Sequence, residues 1–423
     1  MHHLEAAHRI GFVSTRFSGT DGVTLETEKW AAVLERDGHT CCYFAGDSNQ
    51  AAERSYTLPE ALFNHPDIEA IYTHAFSQRL RDQAITVKIH QIKDHIKKHL
   101  GFFVRDFDLE LLIVENALAI PLNIPLGLAL TEFIAETGIP TIAHHHDFFW
   151  ERKRFLVNCV WDYLNMAFPP HLPPIRHVVI NTSGANQLSL RTGISSMLIA
   201  NVMDFEHPPQ PPDEFTASLR RDLGLEPDEL LILQPTRVVQ RKGIEHAIEL
   251  VSRLGMKARL VISHASGDEG YEYEKRVRDF ARLLEVPVNF VSEIIRETRG
   301  LTADGRKVYT LWDVYPYADL VTYPSTIEGF GNAFLEAVYF HQPIVVNNYS
   351  IFATDIKPKG FRVIEFDGYI TDDTIYNTRF ILEHPQTRQE MTRHNYRLAS
   401  QHYSYAMLDR RLRTLLAECF GEP

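Results

Sequence analysis

Glu328 and Glu336 stand eight positions apart in DLVTYPSTIEGFGNAFLEAVYFHQPIVVNN. Between them Gly329-Phe330-Gly331-Asn332 closes a loop, and AFLEAVYF opens a helical pattern. Glycines at such a place let backbone N–H groups approach an anion, and a helix N-terminus adds partial positive charge. That is a diphosphate site in outline, with one carboxylate before the helix and another about one turn inside it. Arg237 and Lys242, in PTRVVQRKGIEHAIEL, put two cations at the mouth of an apolar run. Such a pair can neutralise a diphosphate leaving group in place of a divalent metal. A third constellation, TIAHHHDFFWERKRF, sets His144, His145 and His146 ahead of Asp147. In an extended strand His144 and His146 share one face and His145 takes the other. As zinc ligands this pair needs partners from elsewhere. The sequence offers no convincing cluster to supply them, so no metal is expected.

The elements that must position these residues alternate strand and helix. RIGFVSTRF is an apolar run that ends in the turn-rich SGTDGV. TLETEKWAAVLERDGH follows with Trp30, Val33 and Leu34 on one helical face and Gly38 where a C-terminal cap belongs. CCYFAG is the next strand. This order begins a doubly wound parallel sheet. Further strands are expected at AIYTH, LLIVEN, PTIAHHH and HVVINTS. After MLIANVMDF, the four prolines of HPPQPP read as a linker. The alternation then restarts with LLILQPT, ARLVISH, VNFVS, DLVTYPS and PIVVNN. The expected domains are 1–205 and 206–395, each Rossmann-like, with an amphipathic helix in 396–423. Ligands of such sheets bind at the carboxyl ends of strands, which places the expected site in a cleft between the two domains.

Composition bounds the function class. The 423 residues carry a net charge of −12, which argues against nucleic-acid binding, since that needs a basic face. The four cysteines, Cys41, Cys42, Cys159 and Cys419, have neither the spacing of a zinc ribbon nor that of a disulfide framework. The most apolar stretch, 111–130, holds Glu115 and two prolines and reads as strand, loop and helix start rather than a membrane span. The N-terminus lacks the plan of a signal peptide. A reducing cytoplasm is the expected location. Segment 84–103 sets Ile85, Ile89, Ile92 and Ile96 on one helical side, with Lys88, Lys93, Lys97 and Lys98 around the rest. It reads as a solvated helix face in preference to a membrane-docking one.

Taken together, Tyr-Pro-Ser, Glu-Gly-Phe-Gly-Asn, Glu-Ala and the Pro-Ile-Val-Val strand resemble the donor site of glycosyltransferase family 4. INTSGANQLSLRTG followed by IANVMDFEHPP resembles that family's interdomain passage, with Asn201-Val202-Met203-Asp204 where Asn-Gly-Val-Asp is usual. The insertion SEIIRETRGLTADGRKVYTLWDVYPYADLVTYPS is similar to the subgroup that makes compatible solutes such as mannosylglucosylglycerate. The resemblance implies an α/β protein of the GT-B fold, two Rossmann-like domains facing a cleft with a C-terminal helix crossing back to the first. It implies a retaining, metal-independent hexosyltransferase that uses a GDP-, UDP- or ADP-linked sugar and needs no further cofactor. The acceptor would be a hydroxyl of a small soluble compound of glycerate or sugar type. Membrane contact is not expected, and a homodimer is left open. A lipid-acceptor enzyme, a GT-B epimerase and a non-catalytic sugar-nucleotide binder are the alternatives.

Residue by residue, the resemblance makes His146, Arg237, Lys242 and Glu328 the catalytic set. Donor binding falls to Gly22, Arg237, Lys242, Glu328, Gly329, Phe330, Gly331, Asn332 and Glu336. His146 is the best match to a family histidine near the transferred sugar, and hydrogen-bonds it as a neutral imidazole or through its backbone. Asp147 orients His146 or caps the next helix. Asp21, His144, Glu115 and Asn116 are the candidates for acceptor binding.

Overall fold

The computed structural model describes residues 7–19, 21–266 and 270–421. The chain divides into two compact units, Met1–Val202 with Tyr405–Pro423, and Met203–Ser404.

Unit 1 is built on seven strands: β1 (Arg9–Val13), β2 (Thr40–Ala45), β3 (Ser55–Thr57), β4 (Leu111–Glu115), β5 (Thr141–His145), β6 (Ile175–Val179) and β7 (Met197–Leu198). They lie in the order β3-β2-β1-β4-β5-β6-β7, with every pairing parallel. The order reverses between β1 and β4. All five residues of β4 and of β5 are buried. Their near-continuous apolar runs suit a parallel sheet covered on both faces. Alternation sends Leu112, Val114 and Ala143 into one core with Ile96, Leu100 and Leu128. It sends Ile113 and Ile142 into the other with Trp30, Leu34, Leu408 and Leu412. The last two lie on the terminal helix Tyr405–Phe420, which therefore belongs to unit 1 and covers a face of its sheet.

The expected strand at AIYTH is instead part of the helix Pro66–Ala75. Its buried residues are Ile68, Ile71 and Ala75, a helical spacing that five residues read alone do not reveal. Pro66 fits the first turn, and the His65 side chain accepts from the Asp67 N–H. The basic helix Gln83–Asp106 buries Ile89, Ile92, Ile96 and Leu100. Its lysines are largely engaged within the unit. Lys88 pairs with Asp67, Lys93 with Glu132 at 2.8 Å, and Lys97 with Glu132 at 3.2 Å. Among the described residues no helix is long and apolar enough to cross a membrane.

Unit 2 repeats the architecture with β8 (Leu230–Gln234), β9 (Ala258–Ile262), β10 (Val288–Phe290), β13 (Leu320–Tyr323), β14 (Ile344–Asn347) and β15 (Ile364–Phe366). Their order is β10-β9-β8-β13-β14-β15, all parallel, and it reverses between β8 and β13. The two-stranded antiparallel hairpin of β11 (Gly300–Leu301) and β12 (Lys307–Val308) lies in the long insertion.

Candidate active site

In unit 2 the polar residues collect where the strand order reverses, the usual ligand position of such sheets. A short turn, Gln240–Lys242, follows β8, and Gly243 ends it in the left-handed region at φ +59°. A Cβ there would lie 2.6 Å from the Pro324 carbonyl oxygen, so glycine lets the two loops touch. The Thr326 N–H donates to the Arg241 carbonyl at 2.8 Å and ties the loop after β8 to the loop after β13. Across this contact Lys242 pairs with Glu328, and Arg241 reaches the same carboxylate at 3.6 Å. Lys242 and Glu328 are both nearly buried, with side chains 11% and 9% exposed. Burial lowers the pKa of Lys242. Glu328 acts against that shift, while Arg241 and Arg237 add to it. Arg237 itself is exposed and forms no ion pair among the described residues. His264, after β9, is pushed down to about 4 by burial and then by Arg237 and Lys242, so it stays neutral. The net arrangement is a surplus of cationic side chains around one carboxylate, suited to a multivalent anion.

The glycine-rich loop leads into the helix Asn332–Tyr339. Gly331 sits at φ +129°, and a Cβ there would lie 2.6 Å from the Tyr349 hydroxyl, so the position requires glycine. The Phe330 side chain is buried and packs edge-on to Tyr403 at 5.2 Å, leaving only its backbone for a ligand. Gly329 is exposed, and Asn332 is half-buried at the helix start. Glu336, half-exposed, accepts a 2.8 Å hydrogen bond from the fully buried Tyr315 hydroxyl, which fixes its rotamer.

Unit 1 has its own polar cluster, again where the strand order reverses. Glu115 ends β4, and its register partner on β5 is His144. Glu115 Oε2 lies 2.9 Å from His144 Nδ1 and 3.3 Å from His146 Nε2. Trp30 stacks on His144 at 4.2 Å. Burial opposes the Glu115 charge, but His144 and His146 outweigh it and hold the carboxyl at about 2. Burial likewise disfavours charge on His146, yet Glu115, with help from Glu26 and Asp147, raises its pKa above the ordinary value. The neutral imidazole expected from the sequence is therefore biased toward its charged form. The three donor atoms of Glu115, His144 and His146 all lie within 4.8 Å of one another, a spacing that could hold a metal ion. The sequence alone provided no such partner for the two histidines; β4–β5 pairing supplies it.

Asn116 follows Glu115 in the left-handed region at φ +58°. Its side chain accepts from the His146 N–H at 3.0 Å and donates to Asp147 at 3.0 Å, so it orients the loop after β5. Asp147 also pairs with Arg152. His145 is the last residue of β5. It is buried with His177, ring nitrogens 2.9 Å apart, and burial and then His177 push its pKa well down. Asp21 caps the helix Gly22–Arg36, accepting from the Val23 and Thr24 N–H groups, and places Gly22 in its first turn. Arg16, which the sequence reading passed over, donates to Asp21 at 2.9 Å. Arg241, His264 and Tyr315 were also passed over. Arg241 and Tyr315 sit beside residues singled out above, but only the fold brings them together.

Two doubly wound parallel sheets, each with polar loops gathered where its strand order reverses, make this a GT-B fold. Sucrose-phosphate synthase from Thermosynechococcus elongatus superposes with a TM-score of 0.70 at 13% identity, over 98% of this chain and all of that one. HepE from Anabaena, solved with UDP and glucose, gives 0.64 at 14% identity over 97% of this chain and 100% of the other. The family model for glycosyl transferases group 1 matches residues 215–397. The mannosylglucosylglycerate synthase of Thermotoga maritima is 30% identical over an alignment of 437 positions, spanning 95% of this chain and 98% of the relative. That of Petrotoga mobilis is 31% identical over 384, spanning 84% and 86%. The chain belongs to the group 1 glycosyl transferases.

Proposed function

We propose that this glycosyltransferase moves a hexose from a nucleotide diphosphate sugar to a hydroxyl of a small acceptor of glycerate or sugar type, with retention at the anomeric carbon. The observation that carries the reading is the cationic group of Lys242, Arg241 and Arg237 where the strands of unit 2 reverse, with Glu328 paired to the first two. The names of the relatives support the acceptor type, and UDP in HepE supports the donor class. The acceptor oxygen bonds to the anomeric carbon as the bond from that carbon to the diphosphate breaks. The leaving phosphate oxygen takes the acceptor's proton, so no separate base is needed. Lys242 and Arg237 stabilise charge that grows on the leaving group. Gly329, Gly331 and Asn332 present backbone to the donor. The ring of His146, with Nε2 held by Glu115, offers Nδ1 to the transferring sugar. The four free cysteines support a reducing, cytoplasmic setting.

The test is product stereochemistry. With a GDP-, UDP- or ADP-linked α-hexose and a glycerate-type acceptor, the product linkage should be α, and transfer should persist in excess chelator. A β-linked product would overturn the retaining mechanism. Complete loss on chelation, restored by zinc, would show that Glu115, His144 and His146 hold a required ion.

The two glutamates should separate kinetically. Glu336 holds the ribose hydroxyls of the donor and so contributes equally to ground and transition states; Glu336→Gln should raise KM for donor about tenfold with little change in kcat. Glu328 lies at the cationic cluster, so Glu328→Gln should lower kcat more than donor affinity. The reverse pattern in steady-state kinetics would show that the roles are exchanged.

A further inference from the structure

A cavity of about 90 Å³ opens in unit 1 where β1 and β4 diverge, lined among others by Thr15, Arg16, Asp21, Phe63, Glu115 and Asn116. It has room for a few-atom polar fragment rather than a disaccharide. Arg16 is the one cation among the residues that line it, facing two carboxylates, Asp21 and Glu115. Both carboxylates have other partners. Asp21 already accepts from the Val23 and Thr24 N–H groups and from the Thr24 hydroxyl, and Glu115 is held by His144 and His146. The Arg16 guanidinium carries five N–H donors, and among the described residues it uses one, Nη2 to Asp21. Its carbon lies 5.3 Å from the centroid of the Phe63 ring, within reach of a cation–π contact. The side chain is 35% exposed, so it is both anchored and reachable.

We propose that Arg16 is a carboxylate anchor for the acceptor, and that the cavity beside it takes the acid end of a small sugar-linked hydroxy acid. This rests on the acceptor type given above and deepens it, selecting the hydroxy acid over a neutral sugar or polyol. A planar guanidinium with free parallel N–H groups matches a carboxylate in two-point contact, and a neutral hydroxymethyl group in that place would leave those donors unmatched. Asp21 holds the fork in place through one donor and repels an incoming anion less than a free carboxylate would, because its charge is shared with the helix N-terminus. Arg16 touches the acceptor away from the reacting hydroxyl, so it sets specificity and takes no part in bond making.

The experiment is a binding titration on the full-length protein, read by ligand-observed NMR, with D-glycerate, glycerol and 3-phosphoglycerate as probes. Glycerate should bind about 10–100-fold more tightly than glycerol, as expected for a charge-assisted contact. Arg16→Gln should erase that difference, and Arg16→Lys should restore only part of it, because an ammonium keeps the charge without the fork. Circular dichroism of each variant shows whether it is folded; if Arg16→Gln is not, the comparison of wild type with Arg16→Lys decides. Equal binding of glycerate and glycerol to the wild type overturns the proposal. So does a glycerate preference that survives in the folded Arg16→Gln variant. Tighter binding of 3-phosphoglycerate that depends on Arg16, with glycerate no better than glycerol, overturns the assignment to a carboxylate in favour of a phosphate. The titration needs no transfer reaction. Nucleotide sugars that are never turned over would therefore sink the transferase reading and leave the anchor standing, whereas turnover without acid preference would sink the anchor alone.

Discussion

Lys242→Ala should lower kcat by about 10²–10³ while the protein stays folded, the usual cost of removing one preorganised charge from a site where charge develops. The ammonium is nearly buried, and its nearest charged partner is Glu328, which in turn is shared with Arg241. Burial makes that charge costly in the resting protein and valuable when negative charge arrives beside it. Its removal also takes from Glu328 its closest cation, leaving the Arg241 contact at 3.6 Å and the Tyr323 hydroxyl, so donor binding should weaken too. The double variant Lys242→Ala, Glu328→Gln separates the two effects. If Lys242 acts only by neutralising Glu328, the double variant should turn over no more slowly than Glu328→Gln alone. If it acts on the leaving diphosphate, turnover should stay low. Steady-state kinetics on a saturating donor decides between them. Turnover near the wild-type level in Lys242→Ala alone would remove the basis for placing the leaving group in unit 2.

The parts of this site that could be read from the sequence were those carried by local pattern. Glu328, the glycines after it and Glu336 lie within one strand–loop–helix stretch, and the structure keeps them in one. The buried parallel strands announced themselves as apolar runs, and Gly38 stands past its helix at φ +95° as a C-terminal glycine should. What was not legible depends on which strands become neighbours. Glu115 and His144 are 29 residues apart and touch only because β4 and β5 pair in the register that sets them side by side. Alternation along β5 put His144 and His146 on one face, but it could not say that a carboxylate awaited them there. The charge state of His146 followed the same missing fact. The helix at 66–75 was misread for a local reason: five residues with three apolar ones fit a strand as well as a helix, and the helical period shows only over a longer window.

Glu115→Gln should destabilise the protein by about 3–5 kcal/mol, the cost of breaking a buried ion pair by removing one partner. Glu115 is fully buried, with one carboxylate oxygen between two imidazoles. The sign of the pH dependence follows from the two shifts. Glu115 is held at about 2 in the fold, so its contribution is present above the unfolded carboxylate range and is lost as pH falls toward 2. His146 is raised in the fold, so its contribution is complete below the unfolded value near 6.5 and is lost as pH rises through the folded value. Both are present together between about pH 5 and 6.5, and there the variant should lose most. Above that window the imidazole sheds its proton in wild type as well, and the gap between the two proteins should narrow. The neighbouring pair His145 and His177 titrates in both proteins and largely cancels in the difference. Denaturant unfolding of wild type and variant at pH 5.5 and pH 8.5 provides the measurement. A loss that is the same at both values would mean that His146 does not change its charge between them. A loss below about 1 kcal/mol at pH 5.5 would mean that the three side chains are not coupled as the structure has them.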